Sequence, residues 1–192
     1  MDKILKKLIN SDVYRHYGSF KRPFFWKLHN PSLHFQIIYR KAHFYNCTKP
    51  NMFLGLFYRY KLNRLSHKYH IQIPYTANIG FGLNIVHYGR LIVSPVVKIG
   101  DNCNIFTGVT IGSTTRGEKK GVPTIGNCVW IGPNAVLVGN IKIGDNVLIA
   151  ANSYVNFDVP SNSIVIGNPS IIKSKLDATD SYICSIFLDK NE

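Results

Sequence analysis

One histidine stands where it could do chemistry. His87 lies in Ile85-Val86-His87-Tyr88-Gly89-Arg90-Leu91, and the other six histidines (His16, His29, His34, His43, His67 and His70) all precede it. An imidazole titrates near neutral pH, so it can take a hydroxyl proton as a general base. A lone histidine in a loop also suits a purely structural role, so its position must decide between the two. Other reactive residues are less suggestive. Cys47, Cys103, Cys128 and Cys184 show no paired spacing, which argues against a zinc knuckle or a dithiol motif and for reduced thiols in the cytoplasm. No Gly-rich nucleotide loop precedes residue 70. No secretory signal is evident, so the sequon Asn46-Cys47-Thr48 carries little weight. No apolar run reaches the roughly 18 residues that a spanning helix needs.

The elements that must position His87 show in an internal repeat. Ile99, Ile105 and Ile111, then Ile125, Ile131, Leu137, Ile143, Ile149 and Val155, recur at intervals of six, and glycine follows at 100, 112, 126, 132 and 144. This period is neither helical nor a strand alternation; it marks a parallel β-helix in which three short strands make each triangular coil. The aliphatic residue should point inward, and the small residue beside it should permit the corner. Further inward positions read Val97, Cys103, Val109, Val129, Ala135, Val147 and Ser153, with Ile141 the large exception. In this pattern Cys103 is a core filler. Two insertions break the period: two extra residues between Ile85 and Val93, around His87, and eight between Ile111 and Ile125. Loops on a rigid scaffold often carry function, and the second insertion is polar and contains glycine.

The first third of the chain differs. Residues 1–70 hold 14 Lys and Arg against only Asp2 and Asp12, so nearly all of the net charge of +13 sits there, with many aromatic residues. Pro23, Pro31 and Pro50 separate helical stretches. Asn30 or Ser32 could cap a helix over 33–45, and Lys49-Pro50-Asn51 should divide it from another over 52–68. The expected organisation is a basic, aromatic helical region over 1–71, a left-handed parallel β-helix over 72–170, and a tail over 171–192. The helices and tail are the natural covers for the exposed end and edges of the solenoid.

Val86-His87-Tyr88-Gly89, Gly108-Val109-Thr110-Ile111-Gly112, Pro123-Thr124-Ile125-Gly126, Leu137-Val138-Gly139-Asn140-Ile141-Lys142-Ile143-Gly144 and Gly167-Asn168-Pro169 resemble the hexapeptide-repeat acyltransferases, in their serine acetyltransferase-like branch. Tyr39-Arg40-Lys41-Ala42-His43-Phe44 resembles a segment of bacterial colanic-acid and capsule O-acetyltransferases. The resemblance implies a homotrimer of parallel prisms, with acetyl-CoA between neighbours and no metal. It implies His87 as general base, a backbone N–H for the oxyanion, donor contacts at Gly112, Gly132 and Ala150, and phosphate contact at Lys173. A solvated tail is the other reading of Lys173. Whether two trimers join through the N-terminal helices stays open.

Departures from that branch point the expected acceptor elsewhere. Serine acetyltransferases carry an Asp just before the histidine and an Arg-His pair before the loop proline; here Val86, Gly121 and Val122 occupy those places. An amino-acid zwitterion buried without partners is costly. The sequence therefore favours a hydroxyl of a bacterial surface glycan, met by Tyr88, Thr107, Arg116 and Lys119. L-serine and an inactive scaffold are the alternatives. A lipid-linked glycan at the inner membrane face would also account for the basic segment, which would then touch anionic lipid; a solvated helical cap is the competing reading. A zinc hydrolase on the same prism would need three histidines, and the coils offer one. Charge alone is weak support for nucleic acid, which is not an expected partner.

Overall fold

The computed structural model describes residues 2–188. Helices α1 (Lys3–Tyr17), α2 (Trp26–His29), α3 (Pro31–His43) and α4 (Met52–Tyr69) precede a left-handed parallel β-solenoid, and a π-helical turn, Phe44–Thr48, follows α3. Asn30 caps α3 by accepting from the Leu33 N–H, and Asn51 caps α4 through the Leu54 N–H, so each start is set by a short polar side chain.

The coils stack into three sheet faces. The first holds Ile71–Gln72, Leu91–Val93, Thr110–Gly112, Val136–Val138 and Tyr154–Val155. The second holds Asn78–Ile79, Lys98–Ile99, Thr124–Ile125 and Lys142–Ile143. The third holds Asn84–Ile85, Asn104–Ile105, Trp130–Ile131, Val147–Ile149 and Ser163–Gly167, with Ser170–Ser174 added antiparallel at its edge. The register keeps like above like. Ile85 pairs with Ile105, Ile105 with Ile131, and Ile131 with Ile149, so both insertions bulge out without shifting the stack. The small inward residues and Ile141 are all buried. Burial pushes the Cys103 thiol up to about 12, which keeps it a protonated filler.

The corners work differently from the expectation. Left-handed backbone falls not on the glycines after the aliphatic residues but two positions later, on Asn102, Cys128, Asn134, Asn146 and Asn152. Asparagine tolerates that conformation well. Gly100 and Gly126 are needed for space instead. A Cβ on Gly100 would meet the Asn127 Oδ1 at 2.4 Å and the Gly126 oxygen at 2.6 Å, so these glycines let successive coils approach.

The helices plug the first coil. Arg40 on α3 donates to both carboxylate oxygens of Asp12 on α1, each at 2.9 Å, and to the carbonyls of Ile79 and Gly80. Asp12 also accepts from the Leu83 N–H. Burial by itself would lower the Arg40 pKa, but the Asp12 carboxylate outweighs it and raises it. Residues after Ser174 run back along the corner between the second and third faces. The Asn146, Asn104 and Asn102 side chains hold the carbonyls of Leu176, Tyr182 and Phe187, and Arg15 reaches the Cys184 carbonyl. The tail thus ties the last coil to the first and to α1.

His16 locks α1 to α3 in its neutral form. Gln36 donates its amide to the Leu83 carbonyl, so its Oε1 must accept from His16 Nε2, 2.7 Å away. The Asn30 amide then donates to His16 Nδ1. Burial lowers the His16 pKa below its ordinary value of 6.5. Below pH 6.5 the unfolded chain therefore binds a proton that the folded chain resists. Stability should fall as pH drops from 6.5 toward the depressed folded pKa, and be fully retained above it. Urea unfolding at pH 7.5 and 5.5 should show a smaller loss for His16→Gln than for the unsubstituted chain; an equal loss refutes the assignment.

Candidate active site

His87 sits at the corner where the chain passes from the third face to the first. Its two-residue insertion lifts the ring out of the prism, where it is exposed. Gly89 makes the turn with φ +138, and a Cβ there would meet the Thr107 Oγ1 at 2.6 Å, so glycine is required for both shape and room. The imidazole packs edge-on against Phe106, with ring centroids 6.0 Å apart. Among the described residues no polar group hydrogen-bonds it. The preceding Val86 makes a ladder bond to the Ile105 carbonyl. Val86 offers the imidazole no carboxylate, and the ring packs on Phe106 of the next coil instead.

The backbone ladder continues Val86, Phe106, Gly132 and Ala150 as one column along this corner, each N–H reaching the carbonyl one coil on. At about 4.8 Å per coil, Gly132 lies about 10 Å and Ala150 about 14 Å along the prism from the His87 level. Gly132 is buried under the Trp130 ring: a Cβ there would meet the indole at 2.6 Å. Ala150 is half-buried. Lys173 is exposed on the last strand of the third face, paired with Ile164, at the far end of the same sheet. Tyr88 and Thr107 flank His87, the Tyr88 ring lying 6.0 Å from Tyr69 of α4.

The remaining candidates lie at another corner. Gly112 ends a first-face strand beside Val138, and the long loop leaves there for the second face. Thr114 and Gly121 pair across the loop base, the Lys119 carbonyl accepts from the Asn140 N–H, and the Lys119 ammonium lies 3.5 Å from Asp158. Arg116 is exposed near the tip. Tyr88 with Thr107, and Arg116 with Lys119, therefore do not form one surface within a protomer.

Three residues of this region escaped the sequence reading. Phe106 follows Ile105 where many hexads place glycine, and Trp130 packs tilted against it with ring centroids 4.7 Å apart; that exception to the hexad was the available signal. Arg90, exposed in the His87 turn, lines an open groove of about 1070 Å³ with His67, His70 and Arg59. Among the described residues no group of three or more His, Cys, Asp or Glu could hold a metal ion, and no helix is long and apolar enough to cross a membrane.

A parallel three-faced coil with an exposed corner histidine and a protruding loop defines a class, and comparison agrees. Residues 123–156 match the family described as bacterial transferase hexapeptide (six repeats). The chain belongs to the hexapeptide-repeat acyltransferases of left-handed β-helix fold. Within that class it is similar to serine acetyltransferases. The Brucella abortus strain S19 structure superposes with TM-score 0.72 at 31% identity, over 92% of this chain and 70% of that one, and a second structure of that protein is a complex with coenzyme A. The Neisseria gonorrhoeae serine acetyltransferase in complex with serine gives TM-score 0.72 at 28% identity, over 90% and 70%. A Staphylococcus aureus serine acetyltransferase is 44% identical over 102 residues, 53% of this chain and 48% of its own. The chain spans between 33% and 57% of the length of the curated relatives it matches.

These relatives overturn the glycan acceptor expected from the sequence, and with it the lipid-linked substrate and the reason for placing the basic segment at a membrane. They also overturn the closeness to capsule and colanic-acid enzymes. The physical reason lies in the segment that suggested it. Tyr39 hydrogen-bonds the Ala77 carbonyl, Arg40 holds Asp12 and the first coil, and His43 meets the Tyr75 carbonyl. Tyr39-Arg40-Lys41-Ala42-His43-Phe44 fastens the helical cap to the prism and carries no information about the acceptor.

Proposed function

We propose that this chain transfers the acetyl group of acetyl-CoA to the hydroxyl of L-serine, with His87 as general base. The observation that carries the reading is the exposed imidazole, at the head of the Phe106, Gly132 and Ala150 column, in a fold shared with serine acetyltransferases over nine-tenths of the chain. His87 takes the hydroxyl proton, the oxygen attacks the thioester carbonyl, and the departing thiolate regains a proton from the imidazolium. A backbone N–H at the same corner stabilises the oxyanion. The donor runs along Ala150 toward Lys173, which meets its phosphates.

The active unit in this reading is a homotrimer in the cytoplasm. His87 and the loop over 113–123 leave different corners, so the loop, with Gly112, Arg116 and Lys119, reaches a histidine corner on a neighbouring copy. Arg90 supplies the cation for the serine carboxylate. Charge-assisted hydrogen bonds of this kind contribute about 1.5–3 kcal/mol, so Arg90→Gln should raise KM for serine about 10- to 100-fold with little change in KM for acetyl-CoA. Thiol release from acetyl-CoA, with and without L-serine, tests the activity; light scattering tests the assembly. No serine-dependent release from a folded trimer refutes the proposed reaction.

A further inference from the structure

The helical cap holds a second concave site, and none of its lining residues belongs to the prism. It is a cleft of about 890 Å³ between α3 and α4, with Arg22, Lys41, Lys61, Arg64 and Lys68 on its walls. Lys61, Arg64 and Lys68 recur at three and four along α4 and share one helical face, while Lys41 faces them from α3. Among the described residues no carboxylate pairs with these cations. The first 70 residues contain only Asp2 and Asp12; Asp12 is buried against Arg40, and Asp2 lies beside Lys49.

The cations rest on rings instead. Arg22 lies 4.9 Å from the Trp26 centroid, Lys41 5.2 Å from Tyr58, Lys61 4.4 Å from Phe57 and Lys68 5.4 Å from Tyr69. A ring face holds a cation in place without neutralising it. Five like charges around one concavity repel each other, and low-dielectric walls focus their field on whatever enters. A multivalent anion would relieve that repulsion at a site already shaped and oriented. The cleft is also of the size that small-molecule ligands occupy.

We infer that this cleft binds a compact phosphate anion of at least two charges, of the class that carries a pyrophosphate group. Tyr60, on the same wall and largely exposed, offers a flat face to the remainder of such a ligand. The site does not depend on the acetyl-transfer reaction.

Isothermal titration of the full chain with inorganic pyrophosphate tests it. Saturable binding is expected at low ionic strength, weakening as salt screens the charges. The triple variant K61Q/R64Q/K68Q should weaken binding about 10-fold or more. K3Q/K98Q/K142Q removes the same charge from scattered exposed positions and should leave binding near the unsubstituted level. Lys41→Gln, on the opposite wall, gives an independent reading if the triple variant does not fold. Equal weakening by both triple variants, or no saturable binding, overturns the proposal. So does binding confined to phosphatidylglycerol vesicles, which would assign the charge to a lipid surface.

Discussion

Replacing His87 with alanine is expected to lower kcat for acetyl transfer by about 100- to 10,000-fold while leaving the chain folded. The two halves of this expectation rest on one feature. The ring is exposed, has no hydrogen-bond partner among the described residues, and touches the body of the protein through Phe106. Its removal opens no cavity and strands no buried polar group, so the stability change should stay within about 0.5 kcal/mol. A general base, by contrast, has no substitute within the coils, which contain no other histidine. Steady-state thiol release with L-serine measures the first half and thermal unfolding the second. Activity near the unsubstituted level would remove His87 from the mechanism. A large stability loss would assign the imidazole a structural role instead.

Asp12→Ala should be the most destabilising single change in the helical cap, at about 3–5 kcal/mol. It would leave the Arg40 guanidinium buried, with the Ile79 and Gly80 carbonyls but no counter-charge. It would also orphan the Leu83 N–H. Breaking a buried pair costs more than replacing both partners, so the double change Asp12→Leu with Arg40→Met should recover part of the loss. Chemical denaturation of the single and double variants checks this. If Asp12→Ala unfolds at the same denaturant concentration as the unsubstituted chain, the pair does not hold the cap to the prism.

These two predictions draw on parts of the molecule that differ in how far residue order reveals them. The prism was legible because its periodicity is local. Each inward Ile, Leu or Val sits six residues from the next, and stacking repeats one environment coil after coil. His87 was legible for the same reason: it interrupts a period. The Asp12–Arg40 pair was not, because its partners lie 28 residues apart on separate helices and close only when both dock on the first coil. The role of the glycines was misread on similar grounds. Their conformation is ordinary, and what excludes a side chain is the coil above, which no local pattern records.

The acceptor shows the same boundary. Val86, Gly121 and Val122 are real departures, but their order along the chain does not show which corner of the prism each comes to occupy. Residue order alone settled the class of fold, the face each hexad buries and the single histidine raised from it, since all three follow from short-range spacing. Tertiary structure alone decided which candidates share a corner, that Phe106 backs the imidazole, that Lys119 turns to Asp158, and that the aromatic-basic segment fastens a cap. Those are matters of which distant residues become neighbours, and neighbourhood across coils depends on register and corner rather than on position along the chain.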